Sequence, residues 1–355
     1  MPARMLFMCA QEFGAKARPT MSRSTTVCVL FALAATLLFA HRAPAAPVRV
    51  IIMAGQSNMV GEFGEDELFF EGVDYALPQT DILYDWRIQG VERAGGWGPL
   101  EPHLDQPGAE TSTYSAELTF GRDLHADGSQ GLIAILKVAV GGSNLAARWH
   151  PSIGGDLYDF MIDKYDRAYL ELVNMGHTPE LVGFGWIQGD GDLWVTDYVL
   201  QYENNLHDLI DAVRLDLNAP DMHVMVSQTS IDHNKPQNLV DIMRQAKANF
   251  CANDHSASLI FTDDLTWRDN NIHWDGTSRL KIGQRMAAAF LADSLWADPA
   301  CAADLDGDGG LSVDDIDVFV AHYLAGQLSA DFNADGALTI DDIDAFVALY
   351  LAGCP

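Results

Sequence analysis

Val48-Arg49-Val50-Ile51-Ile52-Met53-Ala54-Gly55-Gln56-Ser57-Asn58-Met59 is the stretch that decides the fold of this chain. Its apolar, β-branched first half reads as a strand buried on both faces, the pattern of a parallel sheet. The run breaks at Gly55 and delivers Ser57 where the chain must turn into a helix. A serine at that corner sits at the carboxyl edge of the sheet, where open α/β folds place their ligands. It also sits beside a helix N-terminus, whose N–H groups stabilise negative charge. Serines at such corners often serve only as helix caps. The rest of the chain has to decide between the two roles.

Outward from this corner, apolar runs alternate with helical patterns between positions 48 and 295. The predicted strands are Val48–Ala54, Leu132–Val138, Leu181–Ile187, His223–Ser227 and Ser258–Thr262. Helical patterns cover Ser115–Ala126, Leu157–Met175, Leu200–Leu215 and Leu239–Asn249, with a final amphipathic helix from about Ser278 to Leu295. Strand–helix alternation with right-handed crossovers predicts an α/β fold, a three-layer α/β/α sandwich around a five-stranded parallel sheet. The segment from Gly61 to Thr113 is rich in Gly, Pro, Trp and acids and shows little period. It is expected to form a long loop region over the site.

At 355 residues the chain has room for one full α/β domain, placed at 47–297, and a small appendage at 301–355. A formal charge of -29 excludes nucleic acid as a partner, since phosphates require a basic face. The first 46 residues read as a signal peptide. An uncharged apolar stretch from Thr25 to Ala40 follows Arg23 and precedes Ala43-Pro44-Ala45, a small-x-small cleavage pattern too short for a comfortable membrane span. Cleavage is expected after Ala45 or Ala46. Met21 would give a conventional start, which makes residues 1–20 a candidate mis-assigned start. These features predict a secreted or cell-surface protein with no membrane span in its mature form. Cys301 and Cys354 bracket the appendage and are candidates for a disulfide in an oxidising compartment, leaving Cys251 as a lone thiol.

The appendage holds eleven Asp and no Glu, Lys or Arg. It also repeats: Asp304-Leu305-Asp306-Gly307-Asp308-Gly309-Gly310-Leu311-Ser312-Val313-Asp314-Asp315 aligns with Asp331-Phe332-Asn333-Ala334-Asp335-Gly336-Ala337-Leu338-Thr339-Ile340-Asp341-Asp342. Calcium is a hard cation bound by oxygens at loop positions 1, 3, 5, 7 (through a backbone carbonyl) and 12. That spacing predicts two Ca²⁺ sites. Asp304, Asp306, Asp308, the Gly310 carbonyl and Asp315 form the first; Asp331, Asn333, Asp335, the Ala337 carbonyl and Asp342 form the second. Each loop carries the tight-turn glycine at position 6 (Gly309, Gly336) and leads into a short apolar helix, Ile316–Leu324 or Ile343–Leu351, giving a small all-α calcium-loop module. With so little core, metal binding and folding should be coupled. The duplicated loop-plus-helix resembles dockerin modules. That resemblance implies a cohesin-like scaffold or cell-surface partner.

In the main domain, further blocks join Ala54-Gly55-Gln56-Ser57-Asn58-Met59: Lys137-Val138-Ala139-Val140-Gly141-Gly142-Ser143-Asn144-Leu145, Gly185-Trp186-Ile187-Gln188-Gly189-Asp190-Gly191-Asp192, and Arg268-Asp269-Asn270-Asn271-Ile272-His273-Trp274. Together with Glu117–Arg122 and Arg148–Pro151, they resemble the SGNH hydrolases over nearly all of 48–292. More narrowly, they resemble the carbohydrate-esterase branch of acetyl xylan esterases and sialate O-acetylesterases. The resemblance implies a flavodoxin-like fold with Ser57 as nucleophile and His273 as general base. It implies an oxyanion hole from the Ser57 and Gly142 N–H groups and the Gln188 amide. Asp190 stands where the family usually has Glu, and Asp192 is expected to support the loops. Trp149 and Trp97 are candidates to stack on a sugar, though packing roles suit both.

One position departs from the family. Its acid usually lies three residues before the histidine, where this chain has Asn270, while Asp269 lies one residue earlier. Either Asp269 holds the imidazole from a shifted loop, or Asn270 orients it through its amide oxygen. The expected activity is therefore that of a secreted serine esterase deacetylating carbohydrate, acetyl xylan esterase-like, with no metal in the chemistry. A sialate O-acetylesterase is the narrower alternative, with Arg148 or Arg268 available to a sialate carboxylate. A glycan-binding surface protein with weak turnover is the alternative of another class.

Overall fold

The computed structural model describes residues 46–61, 68–88, 90–103, 113–127, 131–269 and 271–293, and in the C-terminal segment 303, 305, 311–327, 330, 332 and 338–352. The strands are β1 (Ala46–Gly55), β2 (Phe69–Phe70), β3 (Val73–Asp74), β4 (Gln79–Ile88), β5 (Val91–Glu92), β6 (Gly98–Leu100), β7 (Leu132–Ala139), β8 (His177–Ile187), β9 (His223–Ser227), β10 (Ala257–Ile260), β11 (Trp267–Asp269) and β12 (His273–Trp274). The helices are α1 (Ser57–Val60), α2 (Glu117–Asp127), α3 (Asp156–Asn174), α4 (Thr196–Asp216), α5 (Gln237–Asn253), α6 (Gly276–Leu291), α7 (Val313–Leu324) and α8 (Ile340–Ala352).

The main sheet runs β10-β9-β8-β1-β7-β4-β5, with β6 paired to β4. Val48, Val50, Ile52 and Ala54 of β1 face one core layer, covered by α3, α4 and α5. Ile51 and Met53 face the other, covered by α2 and α6. Burial on both sides of the sheet explains why β1 reads as a continuous apolar run. Pairings β1–β7, β4–β7, β8–β9 and β9–β10 are parallel.

All five predicted strands are present, but the five-stranded sheet is not: it has eight strands. The additional ones come from the stretch expected to be loop. β4 runs parallel to β7, and short β5 and β6 pair antiparallel with β4. Polar residues within β4 hid it from a reading of apolar periodicity. Asp85 is buried against the Lys164 ammonium of α3. Arg87 pairs with Glu92 at 2.9 Å and lies over the Phe160 ring. Partners distant in sequence make these charges tolerable inside the sheet.

In the C-terminal segment, α7 and α8 meet through the stacked rings of Phe319 and Phe346, 4.1 Å between centroids. Ser312 caps α7 in a reciprocal capping box with Asp315. Asp315 and Asp342, the two position-12 acids, are fully buried. Asp315 accepts hydrogen bonds from the Leu305 and Ser312 N–H groups, and Asp342 from Thr339 N–H. The other expected calcium ligands (Asp304, Asp306, Asp308, Gly310, Asp331, Asn333, Asp335 and Ala337) lie outside the described residues, as do Cys301, Cys354 and the expected signal peptide. Among the described residues no helix is long and apolar enough to cross a membrane.

Candidate active site

At the end of β1 the backbone runs against β8. Gly55 has φ +153°, and a Cβ there would lie 2.1 Å from the Ile187 carbonyl oxygen, so only glycine fits. The Gln56 N–H then donates to that same carbonyl at 3.1 Å, and the Gly55 carbonyl accepts from Val140 N–H at 3.1 Å. The chain leaves the sheet between β8 and β7 and begins α1 at Ser57, which is only 5% exposed. The Met59 and Val60 N–H groups at the start of this short helix both donate to the Gln56 carbonyl at 2.8 Å, which fixes the turn at the serine.

From the other end of the domain, the β11–β12 hairpin brings in His273. Its Nε2 lies 3.1 Å from Ser57 Oγ. That is hydrogen-bond distance between a hydroxyl and its general base. The hairpin register sets the backbone of Asp269 opposite His273 and that of Trp267 opposite Trp274. Asn270 lies outside the described residues.

Asn58 joins the two halves. Its Nδ2 donates to the Ile272 carbonyl at 2.9 Å, and its Oδ1 accepts from the Trp274 N–H at 3.1 Å. Both peptide neighbours of His273 are thereby tied to the residue following the nucleophile. The buried guanidinium of Arg279 adds a second tie, donating to the carbonyls of Trp274, Gly61 and Tyr114 at 3.0, 2.9 and 3.1 Å. Neither role is visible in local sequence pattern: Asn58 lies inside the Ala54–Met59 block, and Arg279 interrupts the apolar face of the last helix next to Leu280 and Ile282.

A polar network underlies the nucleophile. Asp190 Oδ2 accepts from Gln56 Nε2 at 2.9 Å and Asn58 Nδ2 at 3.2 Å, so one carboxylate holds both neighbours of Ser57. Burial alone would raise its pKa. The adjacent His233 (Nε2 3.2 Å from Oδ1), the Lys247 charge and the Asn58 amide outweigh burial and hold it below the usual carboxylate range. Asp192 is fully buried and accepts from the Leu145 and Ala146 N–H groups at 2.8 and 3.1 Å, which fixes the turn after β7. Burial pushes its pKa up, against those same hydrogen bonds. The Lys247 ammonium donates to the Gln188 and Ser227 carbonyls and to Thr229 Oγ1 at 2.6, 2.9 and 2.9 Å. Burial brings it down to about 8, with Asp190 and Asp192 opposing the shift.

Gln188 is placed differently from expectation. Trp186 Nε1 can only donate, and it donates to the Tyr202 hydroxyl, which in turn donates to Gln188 Oε1 at 2.8 Å. That order fixes which end of the amide is nitrogen. Gln188 Nε2 faces Asp192 Oδ2 at 2.6 Å, the Ser143 carbonyl at 3.1 Å and Gln56 Oε1 at 3.2 Å. Its two hydrogens are shared among three internal acceptors, so the amide braces the glycine turn instead of facing the reacting ester. Gly142 stands in that turn with φ +66° and open space where a Cβ would be. It lies three residues beyond Ala139, which pairs with Gly55 across β1 and β7.

Of the other expected positions, Trp149, Trp97 and Arg148 have structural roles. Trp149 is fully buried, edge-on to Trp186, and Trp97 Nε1 donates to the Ala168 carbonyl at 2.9 Å. Arg148 forms a two-pronged pair with Asp156, at 3.0 and 2.5 Å. Arg268 is exposed on β11.

Residues 47–292, more than two-thirds of the chain, match the profile of the family described as carbohydrate esterase, sialic acid-specific acetylesterase. Among solved structures, a protein from Arabidopsis thaliana is 21% identical, with a TM-score of 0.56 over 70% of this chain and 99% of its own. NanS is 18% identical, with a TM-score of 0.51 over 70% of this chain and 98% of its own. At these identities the likeness concerns the fold. No curated protein matches the sequence.

Proposed function

Because the chain belongs to the carbohydrate esterase family of sialic acid-specific acetylesterases, and is a carboxylic ester hydrolase, we propose that it deacetylates O-acetylated carbohydrate through a serine acyl-enzyme. The observation that carries the proposal is the 3.1 Å contact between Ser57 Oγ and His273 Nε2. Ser57 Oγ attacks the acetyl carbonyl while His273 takes its proton. The tetrahedral oxyanion is held by the N–H groups of Ser57 and Gly142. His273 then protonates the departing sugar oxygen, leaving acetyl-Ser57. Water, deprotonated by the same imidazole, attacks that ester; acetate leaves and Ser57 recovers its proton. Asp269, the register partner of His273, is our choice to stabilise the imidazolium. Asp269→Ala should therefore lower kcat, whereas a rate gain in Asn270→Asp would assign that role to position 270.

We propose acetylated xylan-type polysaccharide as the substrate. Arg148 is already neutralised by Asp156, which removes one of two candidate partners for a sialate carboxylate. The family description supports the second reading, a sialate O-acetylesterase. Residues 1–46 are proposed as a signal peptide directing secretion. Residues 301–355 are proposed as a calcium-binding, dockerin-like module for a cohesin-like or surface partner. Two buried carboxylates in a segment without Lys or Arg favour a bound cation there. The test of the central activity is hydrolysis of p-nitrophenyl acetate, with release lost in Ser57→Ala. Unchanged activity in that variant would refute the assignment.

A further inference from the structure

Two segments on the Ser57 edge of the sheet carry an exposed aromatic–cation pair that the chemistry above does not use. Directly after Asp192, the short 3-10 turn Asp192–Trp194 presents Trp194 with 71% of its surface exposed. Tryptophan is ordinarily well buried, and an exposed one on the same sheet edge as a reaction site suggests a ligand. The Lys235 ammonium lies over one face of the indole, 2.6 Å from the ring centre. Lys235 is two residues beyond His233, which contacts Asp190, and Asp190 holds both neighbours of Ser57. With successive Cα atoms about 3.8 Å apart, Trp194 and Lys235 each stand within about 8 Å, Cα to Cα, of Asp192 and His233 respectively.

Burial lowers the pKa of Lys235, and its ammonium faces the Trp194 indole. A cation over the ring is attracted by the face of its π-system and fixes its tilt without covering the other face. An open, oriented indole suits a sugar ring. The apolar C–H face of a pyranose lies flat on it, while the hydroxyls at the rim stay in water.

We propose that Trp194, oriented by Lys235, is a stacking platform for a sugar unit next to the acetylated one, so that the enzyme favours oligosaccharide and polysaccharide chains over single sugars. The proposal rests on the esterase reading of the Ser57 site. A substrate of one ring, or an aryl acetate, leaves the platform uncovered. Acetyl groups borne on longer chains gain its contact.

The experiment measures kcat and KM of the full-length enzyme and of Trp194→Ala and Lys235→Met. The substrates are p-nitrophenyl acetate, O-acetyl sialic acid, and acetylated xylo-oligosaccharides of increasing length. In the wild type, kcat/KM should rise with chain length. Trp194→Ala should raise KM for acetylated xylotriose and longer by about tenfold, the scale of losing one buried aromatic face. Lys235→Met should raise it less, and p-nitrophenyl acetate kinetics should stay unchanged in both. The proposal is overturned if Trp194→Ala leaves the oligosaccharide KM unchanged. It is equally overturned if that variant loses as much on p-nitrophenyl acetate, or if the wild type prefers the single-ring substrate. Ser57→Ala run in parallel separates the two levels. Retained aryl acetate hydrolysis there would sink the site itself, independently of the platform.

Discussion

Truncating Asn58 to alanine tests how the active site is assembled. The side chain holds the carbonyl before His273 and the N–H after it, at 2.9 and 3.1 Å, and also meets Asp190 at 3.2 Å. Asn58→Ala leaves the Ile272 carbonyl and the Trp274 N–H without this partner. At about 1–3 kcal/mol for each of these two unsatisfied groups, stability should fall by about 2–6 kcal/mol in all. The imidazole then loses the tie that sets its position relative to Ser57 Oγ. A displacement of about 1 Å costs on the order of a hundredfold in rate, so kcat on p-nitrophenyl acetate should drop by that order with KM little changed. Asn58→Asp should be worse, because it sets a second carboxylate against Asp190 and turns an acceptor towards the Ile272 carbonyl. Stopped-flow release of nitrophenol, with thermal melts on the same samples, separates rate from stability. A folded Asn58→Ala enzyme with kcat within about twofold of wild type would refute the view that this residue seats the histidine.

Two further outcomes follow from the buried ionisable groups. Burial, reinforced by the charges of Lys137 and Arg93, holds His103 well below the usual imidazole pKa, and burial holds His223 below it despite Asp293. As the pH falls below about 6.5, the unfolded chain takes up protons that these native imidazoles refuse, so stability should decline. Urea denaturation from pH 8 to pH 5 checks this, and a midpoint that is flat or rises over that range would contradict it. For the C-terminal module, a calcium chelator should lower the melting temperature of residues 301–355 and added Ca²⁺ should restore it, with two ions bound per chain by calorimetry. A melt indifferent to both would contradict the calcium reading.

The sequence announces the parallel strands and the serine corner because both depend on local patterns. β1, β7, β8, β9 and β10 are apolar runs, and Gly55-Gln56-Ser57 must break the first of them. β4 is not announced, because Asp85 and Arg87 are made tolerable by Lys164 and Glu92, which no window on the strand contains. The same limit applies at the site. That Ser57 and His273 would meet was expected from family resemblance. The way they are held was not legible: Asn58 and Arg279 act across more than two hundred residues of chain. Gln188 shows the converse. Its position at the end of β8 suggested an oxyanion donor, but Asp192, Gln56 and the Ser143 carbonyl occupy its hydrogens. A residue's place along a strand does not reveal which neighbours compete for it.

The most direct measurement of the central claim is intact-mass analysis after treatment with a fluorophosphonate, which reacts only with an activated serine. One adduct per chain is predicted, mapped to Ser57 by peptide sequencing and lost in His273→Ala. Labelling elsewhere, or undiminished labelling of Ser57 once the imidazole is gone, would contradict a serine–histidine pair working across 3.1 Å.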